Sequence, residues 1–264
     1  MTKDESPGLS SSAFVVERSV VIRARRSVVF GYFTDAARFA AWWGAGSTID
    51  GRPGGEVRIR YPNGATASGK VLALTPDERI VFTYGYDDPG KTIPSGGSRV
   101  TITLADHPEG TRLELRHEVG DAATRDAHVL GWRFQLSRFA EVAAAEQHAE
   151  VAALIDRFFA AWNEADDGAR ARLLAATVTD ATELCDAWAA LVGRDELAAH
   201  IAAARQHRPG VCLERDGAAL HCQGTAVVEW VLRSGDGELR GRGLNVFTLA
   251  SDGRIAKTVG LARS

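Results

Sequence analysis

The sequence has few cysteines: Cys185, Cys212 and Cys222 are the only three in 264 residues. An odd, sparse set is no disulfide framework and is what a reducing cytoplasm accommodates. No apolar run approaches the roughly 20 residues that a membrane span needs, so a membrane-embedded chain is not expected. Neither charge is in large excess. Net charge is -3, with 18 Lys/Arg against 17 Asp/Glu over residues 1–145 and 13 against 17 over 146–264. Phosphate-backbone binding needs a basic surplus, so nucleic acid is excluded as an expected partner. The opening MTKDESPGLSSS is acidic and polar and lacks the apolar core of a signal peptide. Residues 1–13 are expected to form a disordered tail. No G-x-S-x-G elbow and no H-E-x-x-H pair occurs, which leaves serine-hydrolase and zinc-protease readings without support. No metal or other cofactor is expected.

What is present divides into two halves of different element order, a fusion and not a repeat. In the first, FVVERSVVIRA (14–24) reads as a strand and RRSVVFGYFTDAARFAAWW (25–43) has helical spacing. Strand patterns follow at 51–64, at 69–86 around the Pro76–Asp77 turn, and at 98–119 around Pro108–Gly110. A long amphipathic helix then carries Trp132, Leu136, Phe139 and Ala143 on one stripe. EVAAAEQHAE (141–150) is a helical connection, either one continuous helix or two abutting. The second half opens with VAALIDRFFAAWNEAD (151–166), whose apolar face is Ile155, Phe158, Phe159 and Trp162. The stretch TELCDAW (182–188) reads as a strand, RDELAAHIAAARQH (194–207) as a helix, and residues 211–261 as strands turning at Asp216–Gly217, Gly235–Gly237 and Asp252–Gly253. Both halves are α+β, with helices on one face of a mostly antiparallel sheet.

The first half resembles the START-like (SRPBCC) superfamily, and within it the group named after activators of the heat-shock protein 90 ATPase. The residues that carry this are Trp42-Trp43-Gly44, the turn Arg52-Pro53-Gly54-Gly55, and the pair Gly69-Lys70-Val71 to Phe82. Gly110-Thr111-Arg112-Leu113 and the His128…Gly131-Trp132 helix complete the set. The resemblance implies a helix-grip domain over 14–145, a curved sheet around the last helix with an apolar cavity between them. It also implies a chaperone-interacting protein as one reading. The second half is similar to the SnoaL-like branch of the nuclear transport factor 2-like superfamily, through LIDRFFAAWNEAD, the strand leading into Asp186, Gly193-Arg194, and Asp252-Gly253-Arg254-Ile255. This implies a cone-shaped α+β barrel over 146–264, a bent sheet closed by helices around a pocket, often forming a homodimer. The fold class expected is therefore α+β in two domains.

The candidate site turns on Asp186, alone among apolar neighbours. If TELCDAW alternates, Leu184, Asp186 and Trp188 share a face, and the carboxylate sits either at a solvent edge or inside a pocket. In the isomerases of the resembled superfamily, an aspartate at this strand end takes a proton from carbon beside a carbonyl. A late-strand aspartate and a helix tyrosine then hold the oxyanion. Carried over by residue, the base falls on Asp186 and the late-strand position on Asn245, whose amide can still donate. The tyrosine position falls on Phe158, which cannot. Against this stands the ordinary role of a strand-end Asp as a turn former or capping acceptor. Phe158, Trp162, Trp188 and Phe247 are expected to wall the second pocket, and Trp43 and Trp132 the first. Of Trp42 and Trp43, one is expected in the core and the other at the cavity, because both cannot face inward on one regular element.

Other signals are weaker. GATASGKV (64–71) imitates a phosphate loop, but Val71 stands where Ser/Thr would hold magnesium, and its context is strand–turn–strand. Cys212, His221 and Cys222 would approach one another across a 211–223 hairpin, without a fourth ligand for a metal. His128 either faces the first cavity or sits in the turn that opens the long helix, the second being favoured because helix starts commonly carry polar residues. Three function classes remain: binding of small apolar or aromatic molecules in both cavities, proton-transfer isomerisation or cyclisation on Asp186 with Asn245, and interaction with a chaperone.

Overall fold

In the computed structural model, residues 14–263 are described, and the expected tail, residues 1–13, lies outside them. The described residues form two compact units, one of residues 14–22 and 26–142, the other of 23–25 and 143–263.

The first unit runs β1 (Phe14–Ile22), α1 (Arg26–Gly31), α2 (Ala36–Trp43), β2 (Thr48–Ile49), β3 (Glu56–Arg60), β4 (Thr66–Thr75), β5 (Arg79–Tyr84), β6 (Ser98–His107), β7 (Gly110–Val119) and α3 (Ala122–Gln147). Its seven strands form one antiparallel sheet in the order β1-β7-β6-β5-β4-β3-β2. Strict alternation in β6 and β7 puts Val100, Ile102, Leu104, Leu113 and Leu115 on the buried face. The helical run expected over 25–43 is broken in two, because Asp35 leaves helical dihedrals and accepts the Arg38 N–H at 2.9 Å as the N-cap of α2. Asp121 plays the same part at α3, accepting the Thr124 N–H at 2.9 Å. The α3 stripe is buried as its spacing requires. Phe139 lies 4.7 to 5.5 Å, centroid to centroid, from Trp42, Tyr32 and Phe33.

The second unit runs α4 (Val151–Asn163), α5 (Asp167–Thr177), β8 (Val178–Cys185), β9 (Ala190–Val192), α6 (Arg194–His207), β10 (Cys212–Cys222), β11 (Thr225–Arg233), β12 (Leu239–Leu249) and β13 (Ile255–Arg263). The sheet order is β10-β11-β12-β13-β8-β9, antiparallel except for the β13–β8 pair. Ile155, Phe158 and Phe159 of α4 pack on Leu184, Val228, Phe247 and Leu249. The connection over 141–150 resolves into two abutting helices, since α3 ends at Gln147 and α4 begins at Val151.

One element was not anticipated and two expectations are corrected here. Helix α5 had no strong apolar periodicity to announce it; it is capped by Asp166, which accepts the Ala169 N–H at 2.7 Å. Asp216–Gly217 is no hairpin turn but a bulge inside the single strand β10, a shift that glycine's positive φ of 84° accommodates. Cys212 and Cys222 therefore stand at opposite ends of one strand and are exposed. The three-ligand cluster imagined around His221 does not assemble, and no metal-ligating group of three occurs among the described residues.

Candidate functional site

Each unit encloses a cavity. That of the second unit is about 520 Å³ and lies between α4, α6 and the concave sheet, with Phe158, Trp162, Leu184, Leu213, Trp230 and Leu232 among its walls. Asp186 and Asn245 line it together. Between them sits Gly260, on β13 directly opposite Asn245. A side chain starting at Gly260 would meet the Asp186 Cβ at 3.1 Å and the Asn245 Oδ1 at 3.3 Å. Glycine thus leaves the gap in which carboxylate and amide flank one spot on the wall.

The strand ends at Cys185, so Asp186 begins the turn into β9. Its Oδ1 accepts the N–H groups of Trp188 at 2.7 Å and Ala189 at 2.8 Å, and its own N–H donates to the Ala189 carbonyl at 2.8 Å. The turn-forming role and the cavity position thus coexist: one oxygen organises the β8–β9 turn, and the half-buried carboxylate still faces the cavity. Although strand alternation stops at Cys185, Trp188 lines the cavity together with Leu184 and Asp186. It is 64% exposed at the rim, with the Arg208 guanidinium 5.5 Å from its ring centroid.

Asn245 is oriented by a residue that sequence reasoning passed over. The Trp230 Nε1–H donates to Asn245 Oδ1 at 3.0 Å. An indole can only donate, so the amide oxygen is assigned to that bond and the NH₂ is left to the cavity. Trp230 reaches across because its register partner is Gly243, where any Cβ would lie 2.3 Å from the indole. The signal was therefore present as Gly243-x-Asn245 facing Trp230, but only strand register joins them. Phe158 lines the cavity from α4, and so does Trp162, whose Nε1 is buried without a hydrogen-bond partner. Phe247 does not line the cavity. It is fully buried behind Phe158, ring centroids 5.6 Å apart, and belongs to the core. His200, 5.8 Å from the Trp162 ring, is a wall residue that nothing in the sequence singled out. Asn163 fixes the end of α4 to the edge strand by exchanging two 2.8 Å bonds with the backbone of Leu213.

The first unit's cavity, about 450 Å³, is walled by Trp43, Tyr61, Tyr84, Tyr86, His128 and Trp132. Trp42 lies in the core and Trp43 on the cavity, yet both are buried, 4.4 Å apart, because the end of α2 is covered on two sides. His128 is not in a helix-opening turn: α3 has already begun at Ala122, and the imidazole lines the cavity 5.3 Å from His117. His117, also missed, ties the wall together. Trp132 Nε1–H donates to its Nδ1 at 2.9 Å, so Nε2 carries the proton and donates to Ser98 Oγ at 2.8 Å. Ser98 in turn donates to the Tyr84 carbonyl at 2.7 Å. Burial, reinforced by His128, pushes the His117 pKa down to about 3, so it stays neutral. The Tyr61 and Tyr84 hydroxyls share a 2.7 Å bond, and burial raises both above the ordinary tyrosine value.

An open antiparallel sheet gripping one long helix, beside a helix-closed sheet with a carboxylate and an amide on its wall, defines a fusion of two cavity-forming α+β domains. Residues 23–144 match the family described as activator of Hsp90 ATPase homolog 1-like protein, and residues 155–258 match the SnoaL-like domain. The chain belongs to both families, joining a START-like Hsp90 ATPase activator-like domain to a SnoaL-like domain of the nuclear transport factor 2-like superfamily. Similar solved structures include a SnoaL-like family protein from Agrobacterium tumefaciens, at 30% identity over 45% of this chain and 99% of that one, with a TM-score of 0.42. An AHSA1-like protein from Rhizobium etli is 31% identical over 50% of this chain and 82% of its own, TM-score 0.40. The Aha1 dimer from Colwellia psychrerythraea is 16% identical over 46% and 90%, TM-score 0.40. A comparison with curated proteins found no match. Both families are ligand-binding or polyketide-cyclase and isomerase-like folds. No helix among the described residues is long and apolar enough to cross a membrane.

Proposed function

We propose that the protein binds small apolar or aromatic metabolites, one in each unit's cavity. The observation that carries this is the second unit's cavity: about 520 Å³ of space whose surface is mostly aromatic and aliphatic, with Asp186, Asn245 and His200 among its polar groups. That is the size and character of a small-molecule site. A ligand that binds only the folded chain stabilises it by mass action. A planar apolar probe such as naphthalene should therefore raise the Tm and be recovered unchanged. No shift with any apolar probe would sink the binding reading.

A second reading is favoured by one specific observation, the placing of Asp186 and Asn245 on either side of Gly260. The Asp186 carboxylate would take a proton from carbon beside a ligand carbonyl, forming O–H as C–H breaks. The Asn245 NH₂ would donate to the enolate oxygen, and return of the proton at another carbon would complete an isomerisation. Asp186→Asn should then abolish turnover of an enolisable ketone while the Tm changes little, since the amide oxygen still accepts the Trp188 and Ala189 N–H groups. Gly260→Ala should cut turnover as well by filling the gap. If Asp186→Asn proceeds at the wild-type rate, Asp186 is only a turn former. Pairing of two copies through the second unit belongs to the same proposal and rests on the exposed Leu220, Leu239 and Leu261 on its strands. Light scattering of the purified chain reads it directly.

A further inference from the structure

Helix α6 turns two different faces inward. Leu197 and Ile201 go to the core. Beside them, at i, i+3, i+4, i+7 and i+8, stand His200, Ala203, Ala204, His207 and Arg208, and all five line the second unit's cavity. An amphipathic helix ordinarily presents apolar side chains to the interior. On this stripe the two alanines leave room, and the other three positions carry imidazole or guanidinium groups. Asp186 is the one acidic residue on the cavity wall among the described residues, and one of its oxygens is taken by the β8–β9 turn.

The two arginines at the end of α6 are used differently. Arg205 Nη1 donates to the Trp162 and Asn163 carbonyls at 3.2 and 2.6 Å, so its charge sits on the C-terminal end of α4. The Arg208 guanidinium makes no ion pair and no hydrogen bond among the described residues. Its backbone N–H closes α6 on the Ala204 carbonyl at 3.1 Å. A cation in the last turn is favoured by the helix dipole whatever it faces. The dipole does not account for a guanidinium that bonds none of those carbonyls and lies over Trp188, the exposed ring that the β8–β9 turn holds at the cavity rim. A guanidinium over a ring keeps the N–H donors at its edge, a planar fork that fits two carboxylate oxygens.

We infer that the second unit's cavity takes a carboxylic acid, with its apolar body inside and its carboxylate at the mouth, held by the Arg208 guanidinium beside Trp188. Placed at the rim, the anion keeps part of its water and avoids the cost of burying a charge. One guanidinium balances one negative charge, which fits a carboxylate better than a doubly charged phosphate. The inference rests on the proposed binding reading and narrows it to monoanions for this unit.

Three probes of similar shape test it on the full chain by calorimetry: naphthalene, 2-naphthamide and 2-naphthoate. The amide and the acid differ in charge and little in size, and 2-naphthoate is expected to bind about tenfold tighter than 2-naphthamide. Added salt should shrink that preference, because Arg208 is exposed. Arg208→Gln, at an exposed position that the fold does not rely on for a bond, should bring acid and amide to parity and leave naphthalene binding unchanged. The cation at the rim of the first cavity is Lys91, 5.8 Å from the Tyr86 ring centroid, and Lys91→Gln should leave the preference intact. Ala204→Trp, which fills the middle of the α6 stripe, should abolish 2-naphthoate binding. Binding of 2-naphthamide as tight as that of 2-naphthoate would overturn the inference and leave the general binding reading standing. So would a preference that survives Arg208→Gln or disappears in Lys91→Gln, or 2-naphthoate binding that survives Ala204→Trp. Failure of all three probes to bind would sink both.

Discussion

The two cavities are built from the same kind of wall and spend their polar groups differently. In the first unit, Trp132, His117, Ser98 and Tyr84 form a closed chain of bonds whose members are uncharged. In the second, Trp230 consumes only the oxygen of Asn245, and the turn consumes only one oxygen of Asp186. One network rigidifies a shape; the other leaves a carboxylate and an amide on the cavity wall. The contrast teaches that a perturbed titratable group need not be the reactive one. His117 is among the most perturbed groups here, and its bonds make it scaffolding.

The largest test of this comparison removes the ring on which the first unit's helix is seated. Phe139→Ala should cost that unit about 3–5 kcal/mol, because a fully buried aromatic leaves both transfer energy and a cavity behind. Hydrogen exchange read by mass spectrometry should show the loss in peptides of residues 26–142 and leave 151–263 unchanged. Equal loss in both would mean that the units do not fold independently.

A pH titration sharpens the contrast next. His117 has its folded pKa at about 3 against an ordinary 6.5, so between those values the unfolded chain binds the proton and the folded one does not. Stability of the first unit should therefore be fully present above about pH 6.5 and decline as pH falls toward 3. His148 of the second unit, which donates to the Arg23 carbonyl at 2.8 Å, has its pKa lowered to about 4, chiefly by burial. It predicts the same sign over a narrower window. His117→Phe should flatten the acid slope of the first unit at the cost of lower stability at pH 7, since it strands the Trp132 N–H and removes the donor to Ser98 Oγ, whose own proton stays on the Tyr84 carbonyl. An unchanged slope would assign the acid loss to other groups.

The smallest expected effect is at α5. Asp166→Ala removes its N-cap and should cost about 1 kcal/mol, seen as faster exchange over 167–177 with ligand binding intact. Loss of binding would show that α5 shapes the cavity more than its capping suggests.

Much of this was legible in the residues. Alternation in β6 and β7, the Asp252–Gly253 and Pro76–Asp77 turns, the α3 stripe and the extent of α6 all follow from local periodicity and turn chemistry. What was not legible involved a second strand or a covered helix end. Trp230 acquires its role only because β11 pairs it with Gly243 and leaves it diagonal to Asn245. Phe247 and Phe158 both read as wall, and only packing decides which one stands behind the other. The bulge at Asp216–Gly217 passed for a turn because its residues suit either.

The sequence by itself determined two α+β domains with apolar interiors, since spacing dictates which face of each element leaves water. It also determined the polar residues from which any site must be made. Only the tertiary structure decided which of those residues meet. Hydrogen bonds act over about 3 Å, and the partners of Asn245, His117 and Trp132 are brought within that reach by strand register and helix docking, which depend on the whole sheet and not on any local run.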